Sequence, residues 1–380
     1  MIRKLFIGDK GLYAILTILF LLSLIATFST IPYKEIVGNG GTISHLMKQL
    51  LFILIGVFLI FIVERIDYKG RFFKIGAISI YFLSVVLCVI MLAKGVSSNQ
   101  SIRDLRILGI SIQPFEFVKV TFVLYLCMAL SKGYELLNSS LKYFILYLGL
   151  PIIITCGLCF TQKLSSAFIM LMIALILLFV VKMNWKYVLG LIGVIVAAAV
   201  LYMAIDRVSR VNTTGKSRIK TYIENLFSGS EQYHEIDSPM IAIGNGGLVG
   251  TFPGNSEVKY YLINSESDFI FSILVEEGGM LTGLFIIIVY TLFFLRVMVI
   301  ALKSDNTLGR VLAFGLGSVV LVQALVHISV AVGLMPITGE QLPFVSKGGS
   351  SLIAYCFLSG IVQSIASHHV IKKEEVAYEE

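Results

Sequence analysis

Long apolar runs separated by short polar segments make up most of this chain. The runs fall at 12–30, 46–63, 73–94, 114–131, 143–160, 165–181, 187–205, 269–301, 310–334 and 351–370. A helix needs about 20 apolar residues to cross the hydrocarbon of a bilayer, and each run is near that length or longer. The pattern therefore predicts an all-α, polytopic integral membrane protein with about ten transmembrane helices.

The composition agrees with a membrane protein. Of the 380 residues, 57% are hydrophobic and 14% are charged, whereas charged residues make up about a quarter of a soluble domain. The net charge of +7 comes from Lys and Arg placed between the apolar runs, as topology signals are. We therefore expect membrane lipids around the helices and no nucleic-acid partner.

The cysteines and histidines do not have the spacing of a metal site. All five cysteines lie within apolar runs, where they are expected to be packing residues. Cys156 and Cys159 form a CxxC, but no second pair or nearby histidine completes a zinc site. A single histidine inside an apolar run, His327, is expected to be a hydrogen-bonded core residue.

The basic residues of the short loops predict the orientation. Lys and Arg between runs two and three, six and seven, and eight and nine, and after run ten, share one side with the basic N-terminus. Cytoplasmic loops carry such an excess, so both termini are expected to be cytoplasmic, within one membrane domain covering 1–380. The first run is then an uncleaved span, and 371–380 is expected to be a short disordered tail.

On this topology three longer segments face outward, at 95–113, 206–268 and 335–350. The loop 206–268 is too long for a simple connection and, at 241–248 and 259–263, too apolar for disorder. We expect it to form short helices lying against the membrane surface.

The first candidate site is the segment Gln113–Lys119, at the outer start of run four. Pro114 suits a first helical turn. Glu116 and Lys119 are three residues apart, so they share a helix face and can pair. Ionisable residues at the edge of a span indicate function, although a helix-start ion pair with no further role is the alternative.

The second candidate is Ser265–Asp268, directly before run eight. A carboxylate at the boundary of an apolar run is partly desolvated, which suits a general base; a helix N-cap is the alternative. Run eight exceeds the length of one span, so we expect a helical turn at 269–275 followed by a true span. Glu276 and Glu277 are expected to pair with basic residues or to face a cavity.

Two further segments combine glycine with polar residues at membrane depth. Five glycines in 238–256 allow tight turns and close approach of a ligand to the backbone, with simple flexibility as the alternative. The segment Gly333–Ser351 has two prolines and four glycines, and irregular backbone there needs protein cover or a wet cavity. It is expected to be a re-entrant loop that lines a site.

These motifs together resemble the SEDS family of peptidoglycan glycosyltransferases, which have ten spans. The family's QPSEFAK is similar to Gln113–Lys119, its glycine loop to Ala242–Ser256, its TDFIF…EE to Ser267–Glu277, and its GLLPxTGxxLPFxSYGGSS to Gly333–Ser351. The order is the same and nearly the whole chain is covered. The PGNS and SDFIF spellings and 217–226 are closer to the division branch, FtsW, than to RodA.

The resemblance implies polymerisation of lipid II onto an undecaprenyl-diphosphate-linked glycan strand at the outer face of the bacterial cytoplasmic membrane. It assigns the general base to Asp268. Glu116 and Lys119 match family positions in span four, and a divalent cation, Mg²⁺ or Mn²⁺, held by Glu116 and Asp268 is a candidate cofactor. The other expected substrate-binding residues are Arg103, Lys259, Ser256, Thr338, Ser346 and Ser350.

The implied partners are a class B penicillin-binding protein, which is a transpeptidase, and divisome or elongasome proteins. Two other functions remain open: a lipid II flippase or transporter, and a noncatalytic scaffold for the transpeptidase. The chain departs from the family pattern at Phe115, Ile263, Asn264, Thr161–Lys163, His327 and Lys347, and these departures concern substrate contacts away from Asp268.

Overall fold

The computed structural model describes residues 7–30, 41–94, 105–107, 110–162, 164–209, 234–260 and 267–379. Helices account for nearly all of these residues. They are α1 (Lys10–Ser29), α2 (Gly41–Glu64), α3 (Arg71–Lys94), α4 (Pro114–Ser139), α5 (Leu141–Phe144), α6 (Leu150–Gln162), α7 (Leu164–Val180), α8 (Trp185–Ser209), α9 (His234–Gly246), α10 (Ile270–Lys303), α11 (Thr307–Ala331) and α12 (Gly349–Glu379). A π-helical turn, Ile145–Gly149, joins α5 to α6, and Val258–Tyr260 forms a 3-10 turn.

The helices coincide with the predicted runs. In the described part of the chain, eight helices are long and apolar enough to cross a membrane, and two shorter apolar helices occupy the remaining runs. The prediction of an all-α, polytopic membrane fold is therefore confirmed.

Burial separates central helices from peripheral ones. The apolar stretch of α12 is 83% buried and that of α4 is 78% buried, whereas that of α3 is only 22% buried. The peripheral helices expose large apolar side chains such as Phe72 and Leu281, as expected where lipid replaces water. The centre of the bundle, formed by α4, α11 and α12, is where polar side chains are enclosed.

A short β-hairpin precedes α4. Strand β1 (Leu105–Ile107) pairs antiparallel with β2 (Ile110–Ile112), with Leu105 opposite Ile112. The sequence analysis did not predict it. The hairpin leads directly into Pro114, and the Gln113 amide donates to Ser350 Oγ at 3.1 Å, which ties the start of α4 to the start of α12.

Two predictions about polar segments have different outcomes. A helix in the long outer loop is confirmed by α9, while 210–233 and 261–266 lie outside the described residues. The disordered C-terminal tail is wrong, because α12 continues to Glu379. The Lys, Glu and Ala residues of this tail are good helix formers, so the tail extends the helix.

All five cysteines are buried and unbridged. Cys127 Sγ donates to the Val311 carbonyl at 3.3 Å, and Cys159 Sγ lies 3.7 Å from Met170 Sδ. The prediction that they are packing residues is confirmed.

Candidate active site

Lys119 lies at the centre of a buried polar cluster. Its ammonium donates to Glu116 Oε1 at 2.8 Å, to Gln323 Oε1 at 2.7 Å and to Glu340 Oε2 at 2.9 Å. Because an ammonium has three donors, all of them are used inside the protein. The predicted Glu116–Lys119 pair is present, and it belongs to a larger network than a helix-start ion pair.

Glu340 is the member of this cluster that the sequence analysis missed. Its Oε1 accepts from Ser165 Oγ at 3.0 Å and from Ser166 Oγ at 2.6 Å, both near the start of α7. It is the one carboxylate in the irregular segment 332–348, and that position was the available signal. Glu340 therefore joins this segment to α4 and α7.

Tyr355 completes the shell around Glu116. Its hydroxyl donates to Glu116 Oε2 at 3.0 Å. With Lys119 on Oε1, both carboxylate oxygens of Glu116 are engaged. Residues of α4, α7, α11 and α12 thus meet in one cluster, in which two carboxylates face a single cation.

The irregular segment 332–348 is covered by protein, as predicted for backbone at membrane depth. Gln323 Nε2 donates to the Gln341 carbonyl at 2.9 Å, and Tyr290 donates to the Pro343 carbonyl. Ser23 donates to the Val345 carbonyl at 3.3 Å. Residues 339–346 are buried, so helix side chains satisfy the carbonyls that a helix would have bonded internally.

Asp268 stands two residues before α10. Its side chain is partly exposed, and Oδ1 accepts from Ser267 Oγ at 2.9 Å. The N-cap of α10 is Phe269, with no side-chain cap hydrogen bond. The capping alternative for Asp268 is therefore wrong, because the helix starts one residue too late for it.

Ser346 holds the backbone beside Asp268. Its hydroxyl donates to the Ser267 carbonyl at 2.8 Å and accepts from the Leu342 amide at 2.8 Å. This link fixes Asp268 relative to the segment that carries Glu340.

His327 lies on α11 between Glu340 and Asp268. Its Nδ1 is 2.7 Å from the Glu340 carbonyl. Because a carbonyl only accepts, Nδ1 carries the proton in this contact. The other nitrogen, Nε2, is buried without a hydrogen-bond partner among the described residues, and the Asp268 carboxylate is close enough to act on the ring electrostatically. The prediction of a hydrogen-bonded core histidine is confirmed for Nδ1.

Helix α10 breaks at Gly279, where φ is 76° and ψ is 178°. The predicted division into a short helix and a true span is confirmed, with the break four residues later than expected. The break frees backbone groups: the Glu276 carbonyl accepts from the Thr251 amide at 3.0 Å, and the Glu277 carbonyl from the Phe252 amide at 2.9 Å.

The glycine segment 244–254 seals this break. A Cβ on Gly246 or Gly250 would lie 2.2 Å from a backbone carbonyl of α10. The close approach predicted from the glycines is therefore to the backbone of α10, not to a ligand. Simple flexibility does not explain these positions.

Glu276 and Glu277 contact neither a basic side chain nor an open cavity, contrary to expectation. Ser256 Oγ donates to Glu276 Oε2, and the Glu257 amide donates to Oε1 at 3.2 Å. The Ser256 amide donates to Glu277 Oε1 at 3.4 Å. The two carboxylates thus shape the backbone of 256–258.

Lys259 follows this backbone and is almost fully buried. Its ammonium donates to the Gly254 carbonyl at 2.7 Å and to the Ser29 carbonyl at 3.1 Å. Val258 packs in the same small apolar cluster as Phe269, which places the segment carrying Ser256 and Lys259 beside the start of α10.

The remaining predicted residues have structural contacts or fall outside the described ranges. The Thr338 carbonyl accepts from Ser165 Oγ at 2.9 Å, and Ser350 accepts from the Gln113 amide. Arg103 and the departures at Lys163, Ile263 and Asn264 lie outside the described residues.

The carboxylates that were predicted to hold Mg²⁺ or Mn²⁺ do not fit such an ion as they are arranged. Both oxygens of Glu116 are already engaged by Lys119 and Tyr355. Among the described residues, no group of three or more His, Cys, Asp or Glu could hold a metal.

Comparison with known proteins places this geometry in a family context. The family model FtsW/RodA/SpoVE, described as "Cell cycle protein", matches residues 10–371. The "Probable peptidoglycan glycosyltransferase FtsW" of Trichlorobacter lovleyi is 29% identical over 85% of this chain and 83% of the relative. "Stage V sporulation protein E" of Bacillus subtilis is 30% identical over 84% of this chain and 86% of the relative.

Solved structures share the fold. The Rod shape determining protein RodA of Thermus thermophilus superposes with a TM-score of 0.66 at 23% identity, over 94% of this chain and 96% of that chain. A chain of a peptidoglycan synthase complex, whose polymerization and crosslinking are structurally coordinated, gives 0.71 at 22% identity, over 95% and 98%.

Proposed function

Because this chain belongs to the FtsW/RodA/SpoVE family of cell cycle proteins, we propose that it is a peptidoglycan glycosyltransferase of cell division. It polymerises lipid II at the outer face of the bacterial cytoplasmic membrane, with both termini in the cytoplasm. The names of the FtsW relatives support this activity, and the apolar helices suit substrates that arrive anchored in lipid.

The observation that carries the proposal is the Asp268 carboxylate. It is partly exposed, makes no helix-capping hydrogen bond, and is held by Ser267 through Oδ1 alone. Its Oδ2 accepts no hydrogen bond from the described residues. A general base needs an accessible lone pair in a fixed position, and this carboxylate has both.

In the proposed reaction, the sugar 4-hydroxyl of lipid II attacks the anomeric carbon of the lipid-linked strand. A new C–O glycosidic bond forms while the bond from that carbon to the diphosphate oxygen breaks. The hydroxyl proton passes to Asp268, and the electron pair of the broken bond leaves on the diphosphate. The Asp268 proton is then released to solvent or to the diphosphate.

The departing diphosphate requires a cation, and the candidate lysines differ in availability. Lys119 has committed all three donors to Glu116, Gln323 and Glu340, so we propose that it positions the cluster. Lys259 donates to two carbonyls, which leaves one of its three donors for an anion. We therefore favour Lys259, together with Arg103, for the diphosphate.

Ser256, Thr338, Ser346 and Ser350 remain proposed contacts of the substrate region. In each case the structure gives a second role, in holding segments 256–260 and 332–350 in place. A transpeptidase of the penicillin-binding class is the proposed partner, since the structural neighbour in a synthase complex couples polymerization to crosslinking. Its specific identity and its place in the divisome follow from the division branch of the family.

The test is a polymerisation assay with purified protein and lipid II, with and without the transpeptidase, and with products sized on a gel. Wild type and Glu135→Gln, an exposed carboxylate at the far end of α4, should give polymer. Asp268→Asn should give about 10² to 10⁴ times less with an unchanged thermal midpoint. Full activity of Asp268→Asn would refute the base role. Lipid II movement across vesicles without any polymer would indicate a flippase, and neither activity would indicate a scaffold.

A further inference from the structure

A second cavity lies at the opposite end of the bundle from Asp268. It has a volume of about 630 Å³ and opens between α3, α4, α5 and the start of α11. Lys132, on its wall, is 13 residues after Lys119 on the same helix, or about 20 Å along the axis. The cavity is therefore separate from the candidate active site and faces the side that we propose to be cytoplasmic.

The walls of this cavity combine two cations with an apolar interior. Lys74 and Lys132 are its charged lining residues, and no carboxylate lines it. The apolar part includes Ile78, Phe82 and Met128. Glu135 and Asp305 lie on adjacent segments but are not part of the lining. This is the distribution that an amphiphilic anion matches, with charge at one end and hydrocarbon at the other.

The aromatic wall is built by an unusual local structure. The π-helical turn Ile145–Gly149 shifts the backbone register, and the Tyr147 carbonyl accepts from the Tyr125 hydroxyl at 3.1 Å. Tyr143 and Tyr147 stack with ring centroids 6.3 Å apart. Single π-helical turns are often found at functional sites, and tyrosine is enriched at the headgroup level of membranes.

We propose that this cavity binds an anionic phospholipid of the cytoplasmic leaflet. The phosphate lies between the ammonium groups of Lys74 and Lys132, and one acyl chain occupies the apolar interior. Basic pockets between helices on the cytoplasmic side suit such headgroups, and the volume is within the range of about 300 to 1,000 Å³ for ligand pockets. This proposal does not depend on the polymerase activity.

The test uses the full chain in phosphatidylcholine nanodiscs that contain phosphatidylglycerol with a photoreactive diazirine in one acyl chain. Cross-linked peptides should map to 78–82, 125–137 and 143–147. Lys74→Ala/Lys132→Ala should reduce the labelling about fivefold for each lysine. The control Lys186→Ala/Lys303→Ala removes two exposed lysines outside the cavity and should label like wild type.

A filling variant and two competitors keep the result decisive. Ala129→Phe places a ring inside the cavity and should block labelling while the thermal midpoint stays within a few degrees of wild type. Excess unlabelled phosphatidylglycerol should compete, whereas excess phosphatidylcholine and inorganic phosphate should not. Equal competition by phosphatidylcholine would mean a nonspecific apolar groove, and loss of labelling with phosphate alone would mean a small-anion site. Either result, or no label on these peptides, overturns the proposal.

Discussion

The ammonium of Lys119 lies 2.9 Å from Glu340 Oε2, although 221 residues separate the two in sequence. The same ammonium is 2.8 Å from Glu116 Oε1, so one buried cation serves two buried carboxylates. Buried charges are costly unless they are paired and hydrogen-bonded. The position of segment 332–348 against α4 therefore depends on Lys119 more than on either carboxylate.

This imbalance predicts an order of stability among variants. Lys119→Met leaves two carboxylates buried without a cation and should lower the free energy of unfolding by about 3 to 5 kcal/mol. Glu340→Gln keeps the Lys119–Glu116 pair and keeps acceptors for Ser165 and Ser166, so it should cost only about 1 to 3 kcal/mol. Thermal unfolding of the purified protein in detergent measures both.

Lys186→Met is the matched control, because Lys186 is exposed at the start of α8. It should unfold like wild type. If Glu340→Gln proved as damaging as Lys119→Met, the central place of the cation in this network would be wrong.

The cluster also marks how far the sequence could predict the site. Spacing alone could pair Glu116 with Lys119, since both lie on one helix face. It could not find Glu340, because nothing local in an irregular segment indicates which distant helix it meets. The boundaries of the apolar helices were predictable for a simpler reason, which is that hydrocarbon requires a run of fixed length.

The glycine segment was recognised in sequence, but its role was not. Glycine frequency indicates a backbone that needs space or positive φ. Whether a ligand or another helix fills that space depends on the break at Gly279, and no single residue type announces such a break inside an apolar run.

Gly250 gives a direct test of this packing. It has φ of 85°, and an added Cβ would lie 2.2 Å from the Glu277 carbonyl. Gly250→Ala should therefore lower the thermal midpoint and increase proteolysis within 247–256. Gly244→Ala, where a Cβ meets nothing within 4 Å, should leave both unchanged. Equal behaviour of the two variants would show that the glycine segment does not seal α10.

Glu276 predicts a difference between two substitutions of similar size. Its oxygens accept from the Ser256 hydroxyl and from the Glu257 amide. Glu276→Leu leaves these buried donors without an acceptor, at about 1 to 3 kcal/mol for each. Glu276→Gln keeps one oxygen acceptor and should be milder. Thermal unfolding that ranked Gln as the more damaging change would argue against this role.

Ser346 separates a positioning role from a substrate contact. It links the Ser267 carbonyl to the Leu342 amide, at 2.8 Å each, so Ser346→Ala should loosen the backbone that carries Asp268. We expect kcat for lipid II polymerisation to fall about tenfold, as is typical when a catalytic group is displaced slightly, while KM changes little. Ser346→Thr keeps the hydroxyl and should recover most of the lost rate. A rise in KM at unchanged kcat would instead mean that the hydroxyl binds substrate directly, because removing uniform binding raises KM alone.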